Sequence, residues 1–172
     1  MISTPRGARR GLSTEIDFLE NGCHVAGQEE RSALGSREET MSDCPVLIAS
    51  SDLENRQALR NMFVTLGLDP MCSASLEETR ETLASTPISI IFCERRLSDG
   101  GFREVLGLAK KASPQICVVV TTRMQTREEY LEAIRLGAFE VIPFPCQPTD
   151  VDWVVIRAMR HCRQKRALAM SA

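Results

Sequence analysis

The sequence predicts an α/β fold built on one parallel sheet, and three observations carry that reading. Five short apolar runs alternate with five segments of helical periodicity, the helical segments carry capping or breaking residues at their ends, and the connections between segments are short. Parallel strands need crossover connections, and helices in that role cover both faces of the sheet. The fourth apolar run, Ile116-Cys117-Val118-Val119-Val120-Thr121, is β-branched on both faces, as a fully covered central strand requires.

Taken in order, Val46-Leu47-Ile48-Ala49 is a short buried strand. Ser51-x-x-Glu54 reads as a capping box opening a helix through Leu59, Met62, Phe63 and Leu66, closed by Gly67. Met71-Cys72-Ser73 is the second strand, and Ser75-x-x-Glu78 caps a helix that ends near Ser85. Ile88 to Cys93 forms strand three. A loop from Glu94 to Gly101 leads to a helix with Phe102, Val105, Leu106 and Leu108, stopped by Pro114. After the fourth strand, Thr126-x-x-Glu129 caps a helix ended by Gly137, and Glu140-Val141-Ile142 is a brief fifth strand. Pro148 then starts a last helix through Val151, Val154, Val155, Ala158 and Met159. The alternation implies a flavodoxin-like, doubly wound five-stranded parallel sheet of order 2-1-3-4-5.

The length and a 43% hydrophobic content suit one domain with a real core. Residues 1–44 are rich in Gly, Ser, Arg and Glu without sustained period and are expected to be a disordered leader, with Met41 as a possible native start. The domain is expected over 45–166, with 167–172 as a tail. A net charge of -2 makes no global case for binding nucleic acid or a membrane surface. No apolar run approaches the roughly 18 residues of a membrane span, and no signal peptide is apparent. Seven irregularly spaced cysteines without CxxC point to a reducing cytoplasm. Cys93 and Cys146 read as inert thiols rather than redox sensors.

In such sheets, chemistry gathers at the carboxyl ends of the strands. Here that edge carries Ser50-Ser51-Asp52, Glu94, Thr121-Thr122 and Phe144-Pro145, with Arg95, Arg96 and Arg123 close by in sequence. Gly100-Gly101 lacks the rest of a phosphate loop, and Ser50 and Ser51 have no histidine nearby for a nucleophilic triad.

Over about 120 residues from Pro45, the chain resembles the receiver domain of bacterial two-component response regulators. The resemblance rests on an ordered set of segments. They are the Val46–Ser51 strand with its following pair, Arg56, the Ile90–Glu94 strand with the Leu97-Ser98-Asp99-Gly100-Gly101 loop, and Val118–Thr122. The most specific is Glu132-Ala133-Ile134-Arg135-Leu136-Gly137-Ala138-Phe139-Glu140-Val141-Ile142. By this resemblance Glu94 takes the phosphoacceptor position, Ser50 and Ser51 the acidic pair, Thr122 (or Thr121) the switch hydroxyl, Phe144 the lysine and Pro145 a proline that is often cis. Val141 replaces the aromatic rotamer switch.

The departures fall on the chemistry. The family's three carboxylates hold magnesium, but hydroxyls hold it poorly, so no metal or other cofactor is expected. The longer glutamate moves its carboxylate out of the in-line geometry of phosphoryl transfer. The expectation is a degenerate, stand-alone pseudo-receiver with no enzymatic activity, acting in phosphorelay signalling by protein contact. The resemblance implies the face of helix four, strand five and helix five as its contact surface, with Phe139, Val141, Phe144 and Trp153 on it. Its partner would be a sensor kinase, another regulator or a second copy. Glu94 is open to three readings: a fixed mimic of the phosphorylated state reaching toward Thr122, an inert polar strand end, or a residual acceptor. The alternative class is a small flavodoxin-like enzyme or nucleotide-binding protein using the edge near Glu94.

Overall fold

The computed structural model describes residues 44–123 and 126–171; the expected leader before Cys44, Met41 included, lies outside them. The five expected strands are all present: β1 (Val46–Ala49), β2 (Met71–Ser73), β3 (Ile90–Glu94), β4 (Cys117–Thr122) and β5 (Glu140–Pro143). They form one parallel sheet of order β2-β1-β3-β4-β5. Among the described residues, five helices cross over between and after them: α1 (Leu53–Thr65), α2 (Leu76–Ser85), α3 (Phe102–Ala112), α4 (Arg127–Leu136) and α5 (Pro148–Met170). The predicted flavodoxin-like architecture is therefore the observed one. Among the described residues, no helix is long and apolar enough to cross a membrane.

Two apolar cores flank the sheet. On one face Ile48, Ile90, Phe92 and Val119 pack against Leu59 and Phe63 of α1 and Val151, Val155 and Ala158 of α5. Phe63 and Phe92 meet there edge to face, with ring centroids 4.9 Å apart, a favoured aromatic arrangement. On the other face Leu47, Ile91, Cys93, Val118 and Val120 pack against α3 and α4, with Leu76 and Leu83 of α2 alongside. Successive strand residues point to opposite faces, so parity along β3 decides which core each residue joins.

Local chemistry sets most helix ends. Ser75 Oγ accepts from the Glu78 N–H, and Thr126 and Glu129 form the expected reciprocal box. Gly67 and Gly137 end α1 and α4 at φ +78° and +104°, a left-handed conformation that glycine adopts without steric cost. At α1 the expectation is corrected, because the cap is Asp52 and not Ser51. The Asp52 N–H is held by Ser50 Oγ at 3.2 Å, and Asp52 Oδ1 accepts from the N–H groups of Glu54 and Asn55 at 2.9 and 3.4 Å. A carboxylate there gains both hydrogen bonds and the helix dipole.

Strand three begins two residues later than expected and includes Glu94 as its last residue, because the N–H groups of Ser89 and Ile90 both turn to the Pro45 carbonyl. The loop after it folds into a two-strand antiparallel ribbon, Arg96–Leu97 against Gly100–Gly101, that the apolar pattern does not signal. Residues 167–170, expected as a tail, continue α5 as helix.

Candidate functional site

Strand order reverses at β1 and β3, so the ends of these strands flank the crevice where such folds place their chemistry. Ser50 follows β1 and is 1% exposed, whereas Ser51 is exposed. Glu94, half-buried, ends β3 on the parity of Ile90 and Phe92 and so leans toward α1. Its Oε2 accepts from Ser50 Oγ at 2.7 Å and its Oε1 from Asn55 Nδ2 at 3.4 Å. Asn55 is a polar residue buried in the first turn of α1. Its amide oxygen accepts in turn from Arg123 at 3.4 Å, and the same Nη2 pairs with Asp52 Oδ2 at 2.7 Å. Arg56 donates to the Ser50 carbonyl. The result is a continuous polar chain from Ser50 through Glu94, Asn55 and Arg123 to Asp52.

The donors of this polar chain are already committed to one another. Ser50 presents its proton, not a lone pair, to Glu94. The carboxylate of Asp52 is divided between the α1 cap and the Arg123 guanidinium, a cation already supplied by the protein. A hard divalent ion takes several oxygen ligands, with carboxylates foremost, and the donor set here does not fit it.

Of the other sequence-predicted positions, Thr121 lies beside Glu94 in the sheet, and Thr122 does not share its face. Thr122 is buried on the parity of Val120, which places it on the α3–α4 face of the sheet, opposite the face to which Glu94 turns. It lines a narrow crevice with Val141 and Ala133 of α4. Thr121 is the register partner of Glu94, and its hydroxyl donates to the Cys93 carbonyl at 3.4 Å. Phe144, at the lysine position, is half-buried against the α1–α5 core, and the Phe144–Pro145 bond is cis. Arg95 turns to Glu129 of α4 at 2.6 Å. It also lines a cleft of about 290 Å³ beside the ribbon, with Arg96, Gly101 and Arg103. Burial pushes the Cys93 thiol well up, with the Glu94 charge adding to the effect, which suits an inert thiol.

One expected surface residue is corrected. Val141 is 7% exposed and belongs to the α3–α4 core, because its position in β5 faces inward. Phe139 and Phe144 are half-buried against the other core, and Phe139 also lies against His161 with ring centroids 5.4 Å apart. Of the four, Trp153 alone is fully presented, at 63% exposure.

Two polar residues with long-range hydrogen bonds escape the apolar pattern. Asn55 lies one turn before Leu59 and two before Phe63, on the same helix face, and that spacing is the signal that could have found it. Asp99 caps α2 from a distance, accepting from the Leu76 and Glu77 N–H groups at 2.6 and 3.1 Å. A cap supplied from 23 positions away leaves no local sequence signal.

No family model matches the chain. It is 25% identical over 120 residues to the response regulator protein PilR of Pseudomonas aeruginosa, a match that covers 70% of this chain and 27% of that one. The chain thus spans little more than a quarter of that relative's length. Among solved structures it is similar to a CheY-like response regulator receiver domain protein of Methanospirillum hungatei, at TM-score 0.65 and 17% identity, covering 71% of this chain and 98% of that one. The signal receiver domain of a LuxO repressor protein of Vibrio parahaemolyticus gives TM-score 0.68 at 12% identity, over 73% and 96%. The receiver domain of NtrX from Brucella abortus gives 0.62 at 20% identity, over 67% and 98%. At these identities the likeness establishes the fold, which is that of a CheY-like receiver domain.

Proposed function

We propose that this receiver-fold chain serves two-component signalling by protein contact and does not take up phosphate at Glu94. The observation that carries the reading is the engagement of the Glu94 carboxylate by Ser50 and Asn55. An acceptor carboxylate must be free to attack in line, with cations arranged around the incoming phosphoryl group. At this edge both carboxylate oxygens are hydrogen-bonded, the acidic pair is replaced by serines, and the lysine position holds an aromatic ring packed on the core. The same polar chain supports Glu94 as a fixed structural charge whose immediate partners are on β1 and α1.

The contact surface on this reading is the face of α4, β5 and α5. Trp153 stands out on it, since a large exposed aromatic ring is a common anchor of protein interfaces. The partner is a sensor kinase, another regulator or a second copy of the chain.

The test is intact mass after incubation with acetyl phosphate and magnesium. The expected result is an unchanged mass. A stable gain of one phosphoryl group that is lost in Glu94→Gln would overturn the proposal.

A further inference from the structure

A second constellation lies at the opposite, amino-terminal pole of the sheet. Cys117 opens β4 and Cys162 sits on the buried face of α5, each 3% exposed. Their Sγ atoms are 3.2 Å apart, about 1.2 Å beyond the ~2.04 Å length of a disulfide bond. Cys162 Sγ also lies 3.5 Å from the Ser89 carbonyl and 3.4 Å from that of Gln115. Two cations lie on the next turn of α5: Arg166 donates to Ser89 Oγ at 2.8 Å and Lys165 to the Pro114 carbonyl at 3.3 Å.

From this geometry we propose that Cys117 and Cys162 are a reversible disulfide site, closed by a hydroperoxide, that fastens α5 to the sheet. The surroundings also divide the roles of the two sulfurs. The contact with Cys117 pulls the Cys162 thiol down against the effect of burial, and Arg166 and Lys165 pull the same way. Cys117 is driven up by that same contact and by its burial. In this proposal Cys162, one turn before Lys165 and Arg166 on α5, is the attacking thiolate and Cys117 the resolving thiol.

The steps balance. The Cys162 thiolate attacks one peroxide oxygen and the O–O bond breaks; the departing hydroxide takes a proton and leaves as water, with Cys162 now a sulfenic acid. Cys117 then loses its proton and attacks the Cys162 sulfur, forming the S–S bond and expelling the second water. Two thiols and one hydrogen peroxide give one disulfide and two waters, and a thiol reductant restores the pair. Access comes by opening of the last turns of α5, where residues 163–170 are all exposed. The chemistry does not depend on the signalling role proposed above.

The experiment is a thiol map of the reduced full chain after hydrogen peroxide, with free cysteines alkylated before digestion. Expected are an intact mass lower by two hydrogens, a peptide cross-linked through Cys117 and Cys162, and reversal by dithiothreitol. The cross-link should vanish in Cys162→Ser and persist when the exposed Cys72 is replaced by serine. A Cys162 that only gains oxygen overturns the proposal. So does a link from Cys162 to the half-buried Cys44, or a Cys162 left unreacted while Cys72 oxidises. The map of the unsubstituted chain decides the question even where a variant fails to fold.

Discussion

Ser50 Oγ donates to Glu94 Oε2 at 2.7 Å, so the hydroxyl that ends one central strand holds the carboxylate that ends the next. A hydrogen bond to a charged group contributes about 1.5–3 kcal/mol, less where water reaches it. Because Glu94 is only half-buried, Ser50→Ala is expected to lower the unfolding free energy by about 1–2 kcal/mol. Combined with Glu94→Gln, the losses should fall short of additive by about 1 kcal/mol in urea denaturation. Strict additivity would show that the two groups contribute separately.

Asn55 is the hinge of the polar chain, donating to Glu94 and accepting from Arg123. Asn55→Leu keeps the branched side-chain skeleton and removes both bonds, for an expected loss of about 1–3 kcal/mol. Asn55→Asp sets a second carboxylate against Glu94, so its deficit should depend on pH. Like charges at close range make the folded variant bind protons more tightly than its unfolded chain. Its stability relative to the parent therefore recovers as pH falls from about 7 to about 4. Melting curves at the two values check the sign.

Asp99 holds the amino end of α2, and hydrogen bonds from the Leu76 and Glu77 N–H groups lower its pKa. A carboxyl depressed in the folded state contributes stability above its unfolded pKa of about 3.9, and that contribution is lost as pH falls through the lower folded value. Asp99→Ala should thus melt lower than the parent at neutral pH, and the two curves should converge in acid below about pH 4. A gap that stays constant down to the acid limit would contradict the capping role.

Two glycines of the ribbon and α3 should respond in opposite directions. A Cβ on Gly101 would stand 2.8 Å from the Arg95 carbonyl, whereas one on Gly107 meets nothing within 4 Å. Gly101→Ala is expected to cost about 1–3 kcal/mol through forced backbone movement. Gly107→Ala, inside a helix, should gain roughly 0.5–1 kcal/mol. Chemical denaturation of both variants tests the pair.

Trp153 is exposed and outside both cores. Trp153→Ala should leave stability within about 0.5 kcal/mol of the parent. If the contact is with a second copy, the variant should weaken self-association at least about tenfold, consistent with loss of an aromatic anchor. Sedimentation equilibrium reads the change, and unaltered association at every concentration would remove Trp153 from the self-contact.

What the sequence determined by itself is what local chemistry decides. Alternation of apolar runs marked all five strands, and Ser75, Thr126, Gly67 and Gly137 marked helix ends, because a cap or a left-handed turn is settled by atoms within a few residues. The orientation of Glu94 was not legible in the same way. It depends on which face of the sheet each strand parity meets and on a partner 44 positions away. Shifting a strand by one residue exchanges its two faces. That is why Glu94 joins Asn55 beside α1, while Thr122 and Val141 lie across the sheet in the other core. Only the packed tertiary structure fixes such pairings, because the side chains concerned acquire their neighbours when the sheet closes and the helices dock on it.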